Sequence, residues 1–237
     1  MRRRILLATA IVALFAGTAS PQTVAAPQRP ATDGAEIGGV FVDSLNLLFV
    51  EHGVRLVFQS KTRRELDGPF WRDYVDSLRV PRNWEDDDNW IVNYIGHPIH
   101  GAAAGFVWME HDRTSREPRI GLSGEYWSTR WRPLVWTAAY GFQFELGPLS
   151  EASIGNVGLR PQDIGWVDYV VTPVGGLGLM IAEDALDQFF IAWFEGHVRN
   201  RPARVVMRTL FNPARTMANL AAGRLPWYRR DRPVSAR

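Results

Sequence analysis

The 237-residue chain contains no cysteine, which excludes disulfides, thiolate metal sites and anchoring through a lipid-modified N-terminal cysteine. Its formal charge of +2 conceals two opposed regions. Setting aside the three arginines Arg2 to Arg4 leaves −1; Val198 to Arg237 holds ten arginines and one aspartate, a net +9, so the body from Pro27 to His197 carries −10.

That asymmetry predicts a basic tail that either seeks anions or folds back on the acidic body. In chain order, Arg2-Arg3-Arg4, an uncharged apolar run from Ile5 to Ala19 and small residues up to Ala26 have the layout of a cleavable export signal, residues 1–26. The run is short for a membrane span. An exported chain would reside in the periplasm or on the inner face of an outer membrane. The anions there are lipid headgroups, so a membrane surface or anionic lipid is the expected partner, an envelope protein a further one, and nucleic acid is not expected. Residues 27–35 are Pro-rich and polar, a spacer.

From there the hydrophobic recurrence predicts one mainly α domain over residues 36–223, with kinked helices packed through Gly, Ala and Trp and little or no strand, followed by a basic tail over 224–237. Helices are expected over Glu36 to Ser60 (with Gly53 a break or a packing contact), within the amphipathic stretch Lys61 to Val80, where the turn Gly68-Pro69 marks the helix start and Pro81 its end, and over Ile91 to Met109. Between the second and third lies Trp84-Glu85-Asp86-Asp87-Asp88-Asn89-Trp90. Carboxylates before a helix favour its positive end, and the alternating ligand spacing of a calcium loop is absent. Arg119 to Leu146 reads as helix with a kink at Pro133, although the aromatics of Trp136 to Phe144 partly alternate as in a strand. Val167 to Thr172 reads as a short extended run, and Leu177 to Val198 as a helix. The segments Ile91 to Met109 and Val167 to Phe194 read as buried core rather than membrane spans. Ala203 to Leu210 and Ala214 to Ala222 close the fold, the last with Asn212 as N-cap, Pro213 at its first position and Gly223 as C-cap.

Chemistry concentrates in three places. Asn93, His97 and His100, at i, i+4 and i+7, share one helix face, and Pro98 forces a kink or a start there. Two imidazoles on a kinked helix suit a metal or proton-transfer site, or a hydrogen-bonded structural pair. A third group would be an acid from elsewhere, Glu51, Glu125, Glu145 or Glu151, among which spacing does not choose; no metal-ligand set and no cofactor are selected. Gly101 and Gly105, four apart, predict close packing of another backbone. Gly147-Pro148-Leu149-Ser150-Glu151 contains a serine but no GxSxG elbow. Val171-Thr172-Pro173-Val174-Gly175-Gly176-Leu177-Gly178 reads as a Gly-rich turn into a helix. It matches no nucleotide-binding spacing, so close packing of the turn is the simpler expectation. Ten tryptophans suit either a core or a membrane–water boundary.

Asn93-Tyr-x-Gly-His-Pro-x-x-Gly101, the Pro148 to Glu151 loop and Asp168-x-x-Val-Thr-Pro-x-Gly-Gly176 together resemble an uncharacterised bacterial family, domain of unknown function 3943, over roughly residues 85 to 185. The Asn212-Pro213 helix resembles that family's tail. The resemblance implies an exported envelope protein and assigns no activity. Two functions are expected. One is a structural or lipid-binding protein lying on a membrane surface, with a cleft near His97, Glu145 and Pro173. The other is an envelope hydrolase or lipid-modifying enzyme with His97, His100, Glu145 and Glu151 as catalytic groups. Asn93, Ser150, Asp168, Thr172, Pro173, Gly175 and Gly176 are the binding candidates in either case.

Overall fold

A computed structural model describes residues 34–58, 62–63, 70–78, 83–86, 88–122, 124–153 and 164–234. The expected leader and most of the spacer lie outside them. The described residues form a single helical domain with no strand. The elements are α1 (Ile37–Phe58), α2 (Phe70–Ser77), α3 (His97–His111), α4 (Arg113–Arg116), α5 (Glu125–Thr129), α6 (Trp131–Leu146), α7 (Trp166–Val170), α8 (Gly176–Ala185), α9 (Ala192–His197), α10 (Arg201–Phe211) and α11 (Pro213–Ala221). Wide π turns lead into α3 (Val92–Gly96), join α7 to α8 (Val171–Gly175) and join α8 to α9 (Leu186–Ile191).

The small residues of α3 make it the central helix. Gly101, Ala102, Ala103, Ala104 and Gly105 are all buried, and α1, α6, α8 and α11 pack around them. Phe106, Val107 and Met109 complete its interior face against Leu47 and Leu48 of α1, Tyr140 and Phe144 of α6, and Met180 of α8. Burying a side chain the size of Phe106 or Met180 contributes about 1.5–3 kcal/mol. The closest approach is at the glycines. A Cβ on Gly176 would sit 2.7 Å from the Gly101 carbonyl carbon, and one on Gly101 would fall inside the Thr172 carbonyl oxygen. The two helices thus cross backbone on backbone, as the spacing of small residues predicts.

Several local expectations are corrected. Gly53 does not interrupt α1, which runs unbroken to Phe58. Pro133 lies in the first turn of α6, where its missing N–H has no helical partner to lose, so no kink follows. Trp136 to Phe144 is helical, its aromatics divided between the core and the outside. Val167 to Thr172 is helical rather than extended, because Pro173 is accommodated by the π turn instead of ending the helix. The same device precedes Pro98, the expected kink of α3. A further correction concerns the long apolar helix. Ile37–Phe58 and Trp166–His197 are long and apolar enough to cross a membrane, yet only 28% of the apolar window of each is buried. Trp166–His197 is therefore not a buried core helix: it turns Val174, Phe189 and Trp193 outward, as α1 does Phe41, Leu45 and Phe49.

Helix ends follow the chemistry of their caps. Asn200 accepts from Ala203 N–H at 2.9 Å to open α10, and Gly223, at φ +66°, closes α11 in the left-handed conformation glycine favours. Asn212 occupies the expected N-cap position of α11, but its side chain makes no capping bond. Its amide donates instead to the Glu183 carbonyl at 3.1 Å, and the Glu183 carboxylate takes over the capping, accepting from Ala214 N–H at 2.8 Å and Arg215 N–H at 3.0 Å. Burial lifts this carboxyl to about 7, against the pull of the two N–H groups and of Arg215 and Arg229. A folded-state pKa above the unfolded one means that the native state holds the proton more tightly. The stability it lends is full below about pH 4.5 and is lost as pH rises towards 7. Glu183→Ala, which orphans two buried N–H groups, is expected to cost about 3 kcal/mol. Glu183→Gln should remove the slope between pH 4.5 and 7, read from urea midpoints across that range.

Between the two fates expected of the basic tail, the described residues show it folded back. Arg224 pairs with Glu110, Arg229 with Asp187 at 2.9 Å, and Arg232 with Asp187 and Glu195. Arg208, fully buried, binds Glu195 and donates to the carbonyls of Trp227 and Arg232 at 3.0 and 2.8 Å.

Candidate functional site

Four elements bring polar side chains into the interior beside the N-terminal end of α3. The π turn and first turn of α3 supply Asn93, His97 and His100, all buried, on the face their spacing predicts. The last turn of α6 supplies Glu145; α7 and its π turn supply Asp168 and Thr172; α1 supplies Glu51 and Arg55. Ligand atoms of His97, Glu145 and Asp168 lie within 4.8 Å of one another.

His97 Nδ1 is 2.9 Å from Thr172 Oγ1, and Nε2 is 3.1 Å from Asp168 Oδ1. In the tautomer that donates from Nδ1 to the threonine, Nε2 keeps its lone pair facing the carboxylates. Such an arrangement fixes an imidazole for metal binding. Although close to Nε2, Asp168 Oδ1 receives no properly directed hydrogen bond, and Asn93 Oδ1 has none either among the described residues. Burial, with the charges of His100 and Arg55, holds the His97 pKa down to about 3, so the ring is neutral. Burial also raises Asp168, with the charges of Glu145, Asp86 and Asp88 adding to it, far above the usual carboxylate range. Glu145 rises for the same first reason, with Arg55 opposing. Neutral imidazole, crowded carboxylates and an oxygen without a donor fit a divalent cation, whose charge would replace the protons these acids otherwise keep.

His100 stands beside this group, its ring centroid 6.3 Å from that of His97. Its Nδ1 is 2.9 Å from Glu51 Oε1, the Tyr140 hydroxyl donates to Glu51 Oε2 at 2.9 Å, and Nε2 has no partner among the described residues. Glu51 Oε1 receives no properly directed hydrogen bond, so the carboxylate is a close neighbour of the ring rather than its anchor; an imidazole in that position, with its second nitrogen free, can take up a proton.

The other expected residues take structural places. Glu151 pairs with Arg55, so of the acids considered for the histidines only Glu145 and Glu51 reach the site; Glu125 is exposed on α5. Ser150 builds a turn, its Oγ accepting from Ser153 N–H at 3.3 Å, and among the described residues no imidazole bonds it. Pro173 is buried in the π turn, Gly175 abuts Pro98, and Gly176 abuts Gly101: these pack rather than line the group. The acidic segment before α3 does more than favour a helix end. Asp86 Oδ1 accepts from Asn93 Nδ2 at 2.6 Å and from Asp88 N–H at 3.1 Å, which ties the segment to the site, while Asn89 caps the helix through Ile91 N–H. The only sign of this in the sequence was the density of carboxylates in that segment.

Neither family models, nor curated proteins, nor solved structures match this chain, so the site is read from its own geometry.

Proposed function

We propose that this chain is an envelope hydrolase or lipid-modifying enzyme lying on a membrane surface, with a divalent metal held by His97, Glu145 and Asp168. The observation that carries the reading is the convergence of those three ligand atoms, from three separate elements, within 4.8 Å. These three side chains would hold the ion, which would supply a Lewis acid and a bound water acidified to about pKa 7. With the ion bound, His100, beside Glu51, would accept the proton of a water attacking an ester or amide carbonyl and return it to the leaving oxygen or nitrogen as the acyl C–O or C–N bond breaks. One imidazole with two carboxylates suits Zn²⁺ or Mn²⁺. The outward apolar side chains of α1 and of Trp166–His197 support the membrane surface as the place where substrate is met.

The test is equilibrium dialysis of the purified protein against Zn²⁺ and Mn²⁺, with hydrolysis of a p-nitrophenyl acyl ester and of phospholipid vesicles. One bound ion per chain is expected, lost in His97→Ala along with hydrolysis, while His100→Ala keeps the ion and loses turnover. Absence of a stoichiometric ion, or hydrolysis indifferent to a chelator, would sink the enzymatic reading. Vesicle flotation without hydrolysis would leave the non-catalytic lipid-binding one.

A further inference from the structure

The opposite end of α3 holds a second polar feature. A cavity of about 430 Å³ opens between Met109 and Glu110 of α3, the α4–α5 segment, the π turn after α8 and the C-terminal tail. Along α3, Met109 lies about 18 Å from His97, so this is a separate site. Seven arginines and five carboxylates line it. Their pairing is uneven. Asp184 is held by Arg130 and Arg215, Asp187 by Arg229 and Arg232, and Asp231 by Arg119 and Arg232. Glu110 and Glu117 are paired with Arg224 and Arg113, which are not among the lining residues. Two lining arginines, Arg116 and Arg230, are left with no carboxylate among the described residues. Among the described residues the Arg116 side chain donates to the Glu110 carbonyl, at 2.7 Å.

We infer that this cavity binds a phosphate group, bridged between Arg116 and Arg230. Two guanidinium groups outside any ion pair, in a lining with seven arginines and five carboxylates, suit the double charge of a phosphomonoester, and the fork of arginine matches phosphate oxygens two at a time. Burial and the neighbouring charges of Arg230 and Arg224 hold the Arg116 pKa below its usual value even though Glu110 and Glu117 oppose them, so positive charge is crowded here. Tyr126, Tyr228, Pro118 and Ile120 add apolar and aromatic wall beside the charges, room for whatever carries the phosphate. The proposal does not depend on the metal reading, since it uses none of those residues.

The phosphate has two sources, free in solution or on a lipid headgroup, and the experiment separates them. Thermal midpoints of the full chain are measured against inorganic phosphate, with chloride at matched ionic strength as control. Flotation is measured on phosphatidylcholine vesicles with and without phosphatidic acid. Arg230→Gln is the first variant, because its side chain is exposed and its loss leaves no buried group unpaired; Arg116→Gln is the second. The expected result is a phosphate-dependent rise in midpoint, weakened at least tenfold in apparent affinity in either variant, with the phosphate-free midpoint unchanged or higher. A response to phosphatidic acid alone, lost in both variants, assigns the site to a headgroup and also supports the proposal. No response to either probe, or a response that both variants retain in full, overturns it.

Discussion

Replacing Gly101 with alanine is expected to destabilise the fold by at least about 3 kcal/mol, a fall of roughly 6–12 °C in thermal midpoint for a chain of this size. The added methyl would occupy the position of the Thr172 carbonyl oxygen and come within 2.9 Å of its carbon. Backbone cannot rotate aside as a side chain can, so the whole Trp166–His197 helix must back away from α3. That movement also pulls Thr172 from His97, and the damage reaches the site. The control is Gly178→Ala. Gly178 lies on the exposed side of α8 with nothing within 4 Å of a Cβ, and alanine there should be neutral or stabilising by about 0.5–1 kcal/mol. Equal effects at the two positions, in thermal and urea denaturation, would refute the backbone-contact explanation.

Asp168→Asn is expected to separate function from stability. The substitution keeps the shape of the side chain and puts a neutral amide where, without metal, burial and the charges of Glu145, Asp86 and Asp88 make the carboxyl hold its proton. Without metal, the variant should unfold at the same temperature as the parent or a few degrees above it, since at neutral pH folding must return a proton to the aspartate and need not do so for the amide. Its affinity for Zn²⁺ should fall more than about 100-fold, because a carboxylate ligand is lost outright rather than merely mis-oriented. Dialysis with metal analysis, set beside calorimetry of the metal-free forms, gives both numbers. A variant that binds zinc like the parent removes Asp168 from the centre, and a large loss of metal-free stability would make the aspartate a structural residue.

What the sequence made legible was local. The i, i+4, i+7 spacing put Asn93, His97 and His100 on a common face, and all three are buried there. Gly101 and Gly105 announced a close helix crossing, and Gly223 the end of α11. These features repeat at helical spacing or sit at helix ends, where one residue type has one physical use. Long-range partnerships were not legible. Glu145 was one of four acids offered to the histidines, and spacing could not choose it; nothing near His97 says that Asp168, tens of residues downstream, will meet it, and Asp168 was expected to bind but not to ligate. Asn212 has the sequence of a cap, yet a carboxylate from α8 performs the task. The β-branched run Val170-Val171-Thr172 before a proline reads as extended by its own preferences; packing of Gly176 on Gly101 overrides them. Proline in a helix is tolerated here only because a wide turn surrounds it.

Those wide turns have a consequence for how the protein can change over time. Each inserts about one residue beyond regular α pitch, and one residue corresponds to roughly 100° of rotation about the axis. Between Trp166 and His197 the chain resets its angular phase twice, after Val170 and after Ala185. Asp168 faces the histidines at one end, and Asp184 and Asp187 face the arginines at the other, because of that resetting. A deletion of one residue in Val171–Gly175 would regularise the helix and swing Asp168 about a quarter-turn or more out of alignment. Length in this helix is thus as tightly constrained as composition, and lineages descended from it should accept substitutions there far more readily than gaps.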